Sequence, residues 1–332
     1  MQAEFPFISI VIPVRNEASV LARCLESLGK LDYPKDRYEI IIADGLSTDR
    51  SAEIARSFGA IVISNEGLTA TTGRNSGFAC AQGDIVAFTD ADCVFDPGWL
   101  KNSLKYLGDP RVAGVSGPTR FPPDSSHFEA AVNLIFNMVA KTHYTVHMQE
   151  LNRPREIHDI PGCNALYKKE ALEKVMPLDE NLLTAEDVWV NYLLRNAGYR
   201  LLLTPDIIVW HYRRSSPKKF IRQMYRYAIA RCQVGKKSSL QLLRPLHIVI
   251  AVLPVLFLIG LTVACAFGLL STMIKTALII IFIITGALLV KTANVAVALY
   301  TILAAFILVC SWSAGFLREW FFPLRVKKTG DQ

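Results

Sequence analysis

Between Leu246 and Leu317 the chain carries only two charged side chains, Lys275 and Lys291. No other feature limits the possible folds so strongly. Inside lipid every backbone N–H and C=O must be paired within the protein, which a helix does by itself. Polar residues divide the run into 246–270, 273–290 and 293–317. These pieces are about 25, 18 and 25 residues long, near the ~20 that cross a bilayer. Three crossings would carry Arg325, Lys327 and Lys328 to the face opposite the rest of the chain, against the positive-inside rule. A third segment that re-enters or lies at the interface would remove that conflict, so two to three spans are expected.

The charge is as unevenly placed as the hydrophobicity. Residues 213–244 hold ten Lys/Arg and no acid, and residues 245–332 hold six Lys/Arg and two acids. Of a net +7, the first 212 residues therefore carry −7. A nucleic-acid binder would carry its bases on the globular part. A basic collar beside apolar spans fits anionic headgroups instead, so the membrane is the expected partner and nucleic acid is not. The seven cysteines are scattered without a C-x-x-C pair, which points away from zinc and disulfides and towards a reducing compartment. No basic segment followed by a signal-type apolar core opens the sequence. The expected organisation is a globular domain over 1–212, a basic amphipathic segment over 213–244, a membrane region over 245–318 and a tail over 319–332. The expected location is the plasma membrane, multi-pass, with the globular domain on the cytoplasmic face.

Within 1–212 short apolar runs alternate with helical spacing. "FISIVIPV", "YEIIIADG", "AIVIS" and "DIVAFTD" read as strands, with helices from Ala18 to Gly29, about Asp49 to Phe58, and about Thr71 to Ala81 between them. This β-α alternation predicts an α/β fold with a parallel sheet and helices on both faces. Further on, "AGVSGPTRF" reads as a strand, "SSHFEAAVNLIFNMVAKTHYTVH" as a helix and "NALYKKEALEKV" as a strand entering a helix. "AEDVWVNYLLRNAG" reads as a helix closed by Gly198, with Thr184 as its candidate N-cap, and "RLLLTPDIIVWHY" as two short strands.

Ligands of such sheets lie beyond the carboxyl ends of the strands. Glu17, Asp44, Asp90 and Asp92 all fall at such ends. Asp49 is better explained as a cap. Asp90 and Asp92, two residues apart, can share one face and so one small hard cation. Mg²⁺ or Mn²⁺ held by one or two carboxylates, with phosphates completing the shell, suits that pair. Neither a P-loop nor a G-x-G-x-x-G follows the first strand. His211, after "DIIVW", is a candidate further metal ligand or phosphate contact; His143, His147 and His158 are read as structural.

"IVIPVRNE", "IIADGLSTDRS", "GRNSGFACAQGD", "FTDAD" and "AEDVWVNYLLRNAGYR", in this order, resemble the signature of family-two glycosyltransferases of the GT-A fold. The resemblance covers about residues 7–212, and the apolar tail is similar to membrane-attached members that build exopolysaccharides or lipid-linked glycans. It implies that Pro13, Arg15, Glu17, Asp44 and Arg74 lie by the donor nucleotide or its diphosphate. It implies that Asp90, with Ala91 beside it, touches the ribose or a cation's water, and that Asp92 ligates the cation. Asp187 would be the catalytic base, with Glu186 and Asn164 of "PGCNALYKK" towards the acceptor. The chemistry agrees: an acceptor hydroxyl needs a general base, and a single base without a nucleophilic carboxylate means inversion.

The segment "PKKFIRQMYRYAIARC" has apolar residues at 220, 221, 224, 225, 228 and 229, with Lys219, Arg222, Gln223 and Arg226 on another face. It reads as an amphipathic interfacial helix. Gln223, Arg226 and Tyr227 resemble the QxxRW element of processive synthases, with Tyr in place of Trp. Arg222 or Arg226 could pair an acceptor's phosphate. The expectation is a metal-dependent inverting transferase that moves a sugar from a nucleotide-diphosphate donor to a lipid-linked or glycan acceptor. The alternatives are a processive polysaccharide synthase, whose spans usually flank the catalytic domain on both sides, and a non-catalytic nucleotide-sugar-binding membrane scaffold.

Overall fold

The computed structural model describes residues 5–122, 125–140, 151–182, 184–212 and 216–323. Outside that set lie the expected continuation of the 127 helix to His147, with His143 and His147, as well as Arg213, Arg214, Arg325, Lys327 and Lys328. The described chain divides into two compact units, the first holding 5–122 and 151–212, the second 125–139 and 216–323.

The first unit opens with β1 (Ile8–Val14), α1 (Ala18–Leu28), β2 (Tyr38–Asp44), α2 (Ser51–Ser57), β3 (Ile61–Ser64), α3 (Ala70–Cys80) and β4 (Ile85–Phe88). It continues with β5 (Cys93–Phe95), α4 (Trp99–Leu107), β6 (Val112–Ser116) and β7 (Thr119–Arg120). The helix α5 (His127–Ala140) interrupts it in sequence. Then come β8 (Arg155–Glu156), β9 (Ala165–Lys168), α6 (Lys169–Leu172), α7 (Glu186–Asn196), β10 (Arg200–Leu203) and β11 (Val209–His211). Successive side chains of β1 enter two cores, because the sheet is covered on both faces. Ile8, Ile10 and Ile12 pack in one cluster and Val11 in the other. A run rich in Ile and Val, broken only by Ser9 and Pro13, suits a strand buried on both faces.

The main sheet has the order β3-β2-β1-β4-β9-β6-β10-β8. Its first four strands are parallel, as the alternation predicts. Beyond them β6 and β10 are parallel too, so the sheet is mostly parallel, as the family resemblance implies. β9 runs antiparallel between β4 and β6, and β8 antiparallel to β10. The β9 reversal matters for the site, because Phe88 at the end of β4 pairs with Ala165 at the start of β9. Residues 161–164 are thereby brought to the edge where Asp90 and Asp92 emerge. A second sheet, β5-β11-β7, sets His211 opposite Cys93. The sequence reading had missed β5, β8 and α4.

In the second unit are α5, α8 (Pro217–Lys237), α9 (Pro245–Ala266), α10 (Leu270–Thr292) and α11 (Val295–Phe321). The last three are long and apolar enough to cross a membrane, with mean hydropathies of 2.9, 2.5 and 2.3. Each is long enough to cross a bilayer, so the described residues hold three candidate spans. The apolar stripe of α8 is covered by protein: Phe220 and Met224 pack with Phe128, Val132 and Ile135 of α5 and with Ala304 and Ile307 of α11. A Cβ on Gly315 of α11 would meet the carbonyl oxygen of Tyr225 at 2.3 Å, so the two backbones touch there. The catalytic span expected over 1–212 therefore includes a helix, α5, that packs with the C-terminal bundle.

Candidate active site

The site begins with two glycines. Gly73 and Gly77 are four residues apart on α3 and so share one helix face. A Cβ on Gly77 would lie 2.2 Å from Val11 Cγ1, and one on Gly73 would lie 2.9 Å from Pro13 Cβ. Only glycine lets α3 lie this close to β1. Thr69 caps the helix in a reciprocal pair with Thr72. Arg74, adjacent to Gly73, is 3% exposed and runs beneath the strand ends.

There it gathers three acceptors. Nη2 donates to Asp90 Oδ1 at 2.9 Å and to the Gly162 carbonyl at 3.3 Å, and Nη1 donates to Glu186 Oε1. The planar fork of arginine suits such multiple contacts. Burial opposes its charge, but Glu186, Asp90 and Asp187 outweigh that and raise its pKa further. The N–H of Gly162 donates to Asp187 Oδ2 at 3.1 Å. Arg74 and Gly162 thus join the end of β4, the turn into β9 and the start of α7.

Asp187 is partly exposed, whereas Glu186 is 5% exposed. The two acids diverge because they are successive residues of a helix, about 100° apart around its axis; α7 starts from Ala185 in the left-handed region, φ +65. Ala185 occupies the N-cap position without a side-chain bond, so Thr184 is not the cap. A left-handed Ala costs about 1–2 kcal/mol, strain of the kind often found at functional sites.

Asp90, Asp92 and His211 offer ligand atoms that all lie within 4.8 Å of one another. His211 Nε2 is 3.1 Å from Asp92 Oδ1, and its Nδ1 is buried without a partner. Two carboxylates and one imidazole make an oxygen-rich set that fits Mn²⁺ or Mg²⁺. Desolvation raises the Asp90 carboxyl to about 7, with Arg74 pulling the other way. Burial would lower the His211 imidazole, but Asp92 outweighs it and holds the pKa well above the ordinary value.

Asp44 ends β2 and accepts from the Ser47 N–H at 3.1 Å through Oδ2, while Oδ1 is buried without a partner. Beside it the 15–17 and 47–51 loops are tied together. Asn16 Oδ1 accepts from Thr48, and Asp49 accepts from Ser51 and from the Ala18 N–H, the capping role expected of it. Glu17 occupies the N-cap position of α1 without a side-chain cap bond, and its N–H donates to Ser51 Oγ at 2.9 Å. Arg15 is exposed against Gly45, and Pro13 lies against Gly73. Ala91 is buried between the two aspartates.

Two of the expected site residues turn into the interior. Asn164 does not face an acceptor: it is fully buried, its Oδ1 takes the Trp99 indole N–H at 2.8 Å, and its amide donates to Gly117 and Ile207 carbonyls. Glu186 likewise turns inward onto Arg74. Arg74 lines the same small pocket as Gly162 and Asp187. Gln223 and Arg226 lie on α8 in the other unit, with Gln223 Nε2 donating to Tyr227 Oη at 3.2 Å. The bracing Gly162 was missed, because a backbone N–H and C=O leave no side-chain signal.

Residues 9–176 match the Glycosyl transferase family 2 profile. The chain belongs to that family. Glycosyltransferase AglE of Haloferax volcanii is 28% identical over 251 residues, 74% of this chain and 79% of that protein. The dolichyl N-acetyl-alpha-D-glucosaminyl phosphate 3-beta-D-2,3-diacetamido-2,3-dideoxy-beta-D-glucuronosyltransferase of Methanococcus voltae is 29% identical over 266 residues, 71% of this chain and 76% of that one. Among solved structures, the mannosyltransferase PcManGT from Pyrobaculum calidifontis, in complex with GDP-Man and Mn²⁺, superposes with a TM-score of 0.66. Its sequence identity is 21%, and the match covers 95% of this chain and 88% of that one. The shared fold is GT-A.

Proposed function

We propose that this family-two glycosyltransferase moves a sugar from a nucleotide-diphosphate donor, with Mg²⁺ or Mn²⁺, to a membrane-associated, lipid-linked acceptor, with inversion at the sugar carbon. The observation that carries this reading is the meeting of Asp90, Asp92 and His211 at the edge where Gly162 holds Asp187. The unpartnered Oδ1 of Asp44 is placed to accept an N–H of the donor's base. Asp92 and His211 would hold the cation, with Asp90 on its water. When bound, the cation stabilises the charge that develops on the departing nucleoside diphosphate.

Asp187 takes the proton of the acceptor hydroxyl. The Gly162 N–H on Oδ2 fixes the direction in which the carboxylate can do so. Glu186 is committed to Arg74, so one carboxylate of the pair faces the reactants and a single displacement follows. The mannosyltransferase neighbour holds GDP-Man and Mn²⁺, and the Methanococcus relative is named for a dolichyl-phosphate-linked acceptor; both support the donor and acceptor classes. The three apolar helices and the preceding basic collar support a membrane-embedded chain whose catalytic unit faces the cytoplasm.

Membranes containing the full chain provide the test. A screen of nucleotide sugars for cation-dependent thermal shift selects the donor. Labelled sugar should then pass to a lipid extract, stop on chelation and resume with Mn²⁺, with the anomeric configuration inverted. Transfer that persists in chelator sinks the cation, and retained configuration sinks the single displacement.

A further inference from the structure

His211 belongs to a second cluster. Its imidazole and the thiols of Cys93 and Cys163 also offer ligand atoms within 4.8 Å of one another. The two cysteines are 70 residues apart in sequence and meet through two features of the fold. The β5–β11 pairing sets Cys93 opposite His211. The β9 reversal carries Cys163 to the same edge, where Cys93 Sγ lies 3.8 Å from the Cys163 carbonyl oxygen. Cys93 is fully buried, Cys163 is 8% exposed, and neither is in a disulfide. His211 Nδ1 is buried and unpartnered.

We propose that Cys93, Cys163 and His211 form a binding site for a thiophilic divalent cation of the Zn²⁺ or Cd²⁺ class, directly behind the carboxylate seat and sharing His211 with it. Two thiolates and one neutral imidazole are a borderline-soft set, suited to zinc rather than to magnesium. On binding, the two thiols and the protonated imidazole each release a proton to solvent, and two sulfur–metal bonds and one nitrogen–metal bond form, so the complex is neutral and costs little to bury. The fourth position is left for water or a substrate oxygen, as in sites with three protein ligands. A neutral imidazole has one ligating nitrogen, so an ion held on one side of His211 leaves the other nitrogen protonated and unable to ligate a second cation. Zn²⁺ or Cd²⁺ should therefore weaken Mn²⁺ binding at the carboxylates. Binding at the sulfurs is independent of the transferase reading; only the effect on transfer rests on it.

The test titrates the full chain in detergent with Cd²⁺, following the cadmium–thiolate charge-transfer band. Expected is a band that saturates at one ion per chain. It should weaken at least about 10-fold in Cys93→Ala or Cys163→Ser, since losing a direct ligand costs no less than losing an outer one. It should persist in Cys80→Ala, whose thiol is exposed elsewhere. Both cluster variants should keep cation-dependent transfer and lose its inhibition by Cd²⁺. A band unchanged in both variants, or absent from the wild type, overturns the proposal. If the variants do not fold, X-ray absorption of the zinc-loaded wild type decides: two sulfur neighbours support the site, and only nitrogen and oxygen neighbours overturn it. A disulfide mapped to Cys93 or Cys163 in the unfolded, unreduced chain would also overturn it.

Discussion

Arg74 holds a buried carboxylate, a cleft carboxylate and a backbone carbonyl on one guanidinium, so its removal leaves Glu186 charged and unpaired in the interior. Breaking a buried pair from one side costs about 3–5 kcal/mol. Arg74→Met should lower stability by that amount in thermal unfolding of the full chain. Arg74→Met with Glu186→Leu should recover most of it; a double variant no better than the single would show that the pair is not the cause. The cation seat responds to pH for a related reason. Asp90, raised to about 7, and His211, raised above its ordinary range, both hold protons that a cation must displace. Lower pH favours the protonated forms, so Mn²⁺ affinity should fall as pH drops through about 7 and rise above it. Calorimetric titration from acid to neutral pH checks this, and an affinity flat across that range contradicts it.

At the scale of elements, α3 is the part whose position everything else needs. Gly77→Val would drive a side chain into Val11, and overpacking of this kind costs typically about 1–3 kcal/mol. The expected outcome is a lower midpoint and weaker transfer together, because Arg74 moves with the helix; normal transfer at a normal midpoint would mean that α3 is not the lever. Parts of this were legible in the sequence. β1 to β4 follow from continuous Ile/Val runs, and α1 from apolar residues at four-residue spacing. β9 was visible as a strand but not as an antiparallel one, since direction is set by pairing and not by residue type. β5 and β8 are three and two residues long, too short for any period to show. The aspartates, the histidine and the "ED" pair were found because chemistry leaves side-chain marks. The inward turn of Glu186 and the core role of Asn164 were not, because each depends on a partner far away in sequence, Arg74 and Trp99. In α8 the apolar stripe was legible, but not that α5 and α11 cover it.

Across the whole molecule the charge is partitioned by task. The first 212 residues carry −7, the next 32 carry ten bases, and three apolar helices follow. The bases are concentrated beside the apolar helices. Gly315→Leu tests the second unit alone. Its side chain would collide with the α8 backbone, so folded protein recovered from membranes should fall; undiminished recovery would contradict the close approach. The catalytic claim is tested most directly by measuring two quantities on wild type and Asp187→Asn in the same membranes: cation-dependent binding of nucleoside diphosphate, and transfer of labelled sugar. The expected result is binding within about twofold of wild type and transfer lower by about 10²–10⁴-fold, the usual worth of a positioned base. Transfer by Asp187→Asn at the wild-type rate would contradict the assignment.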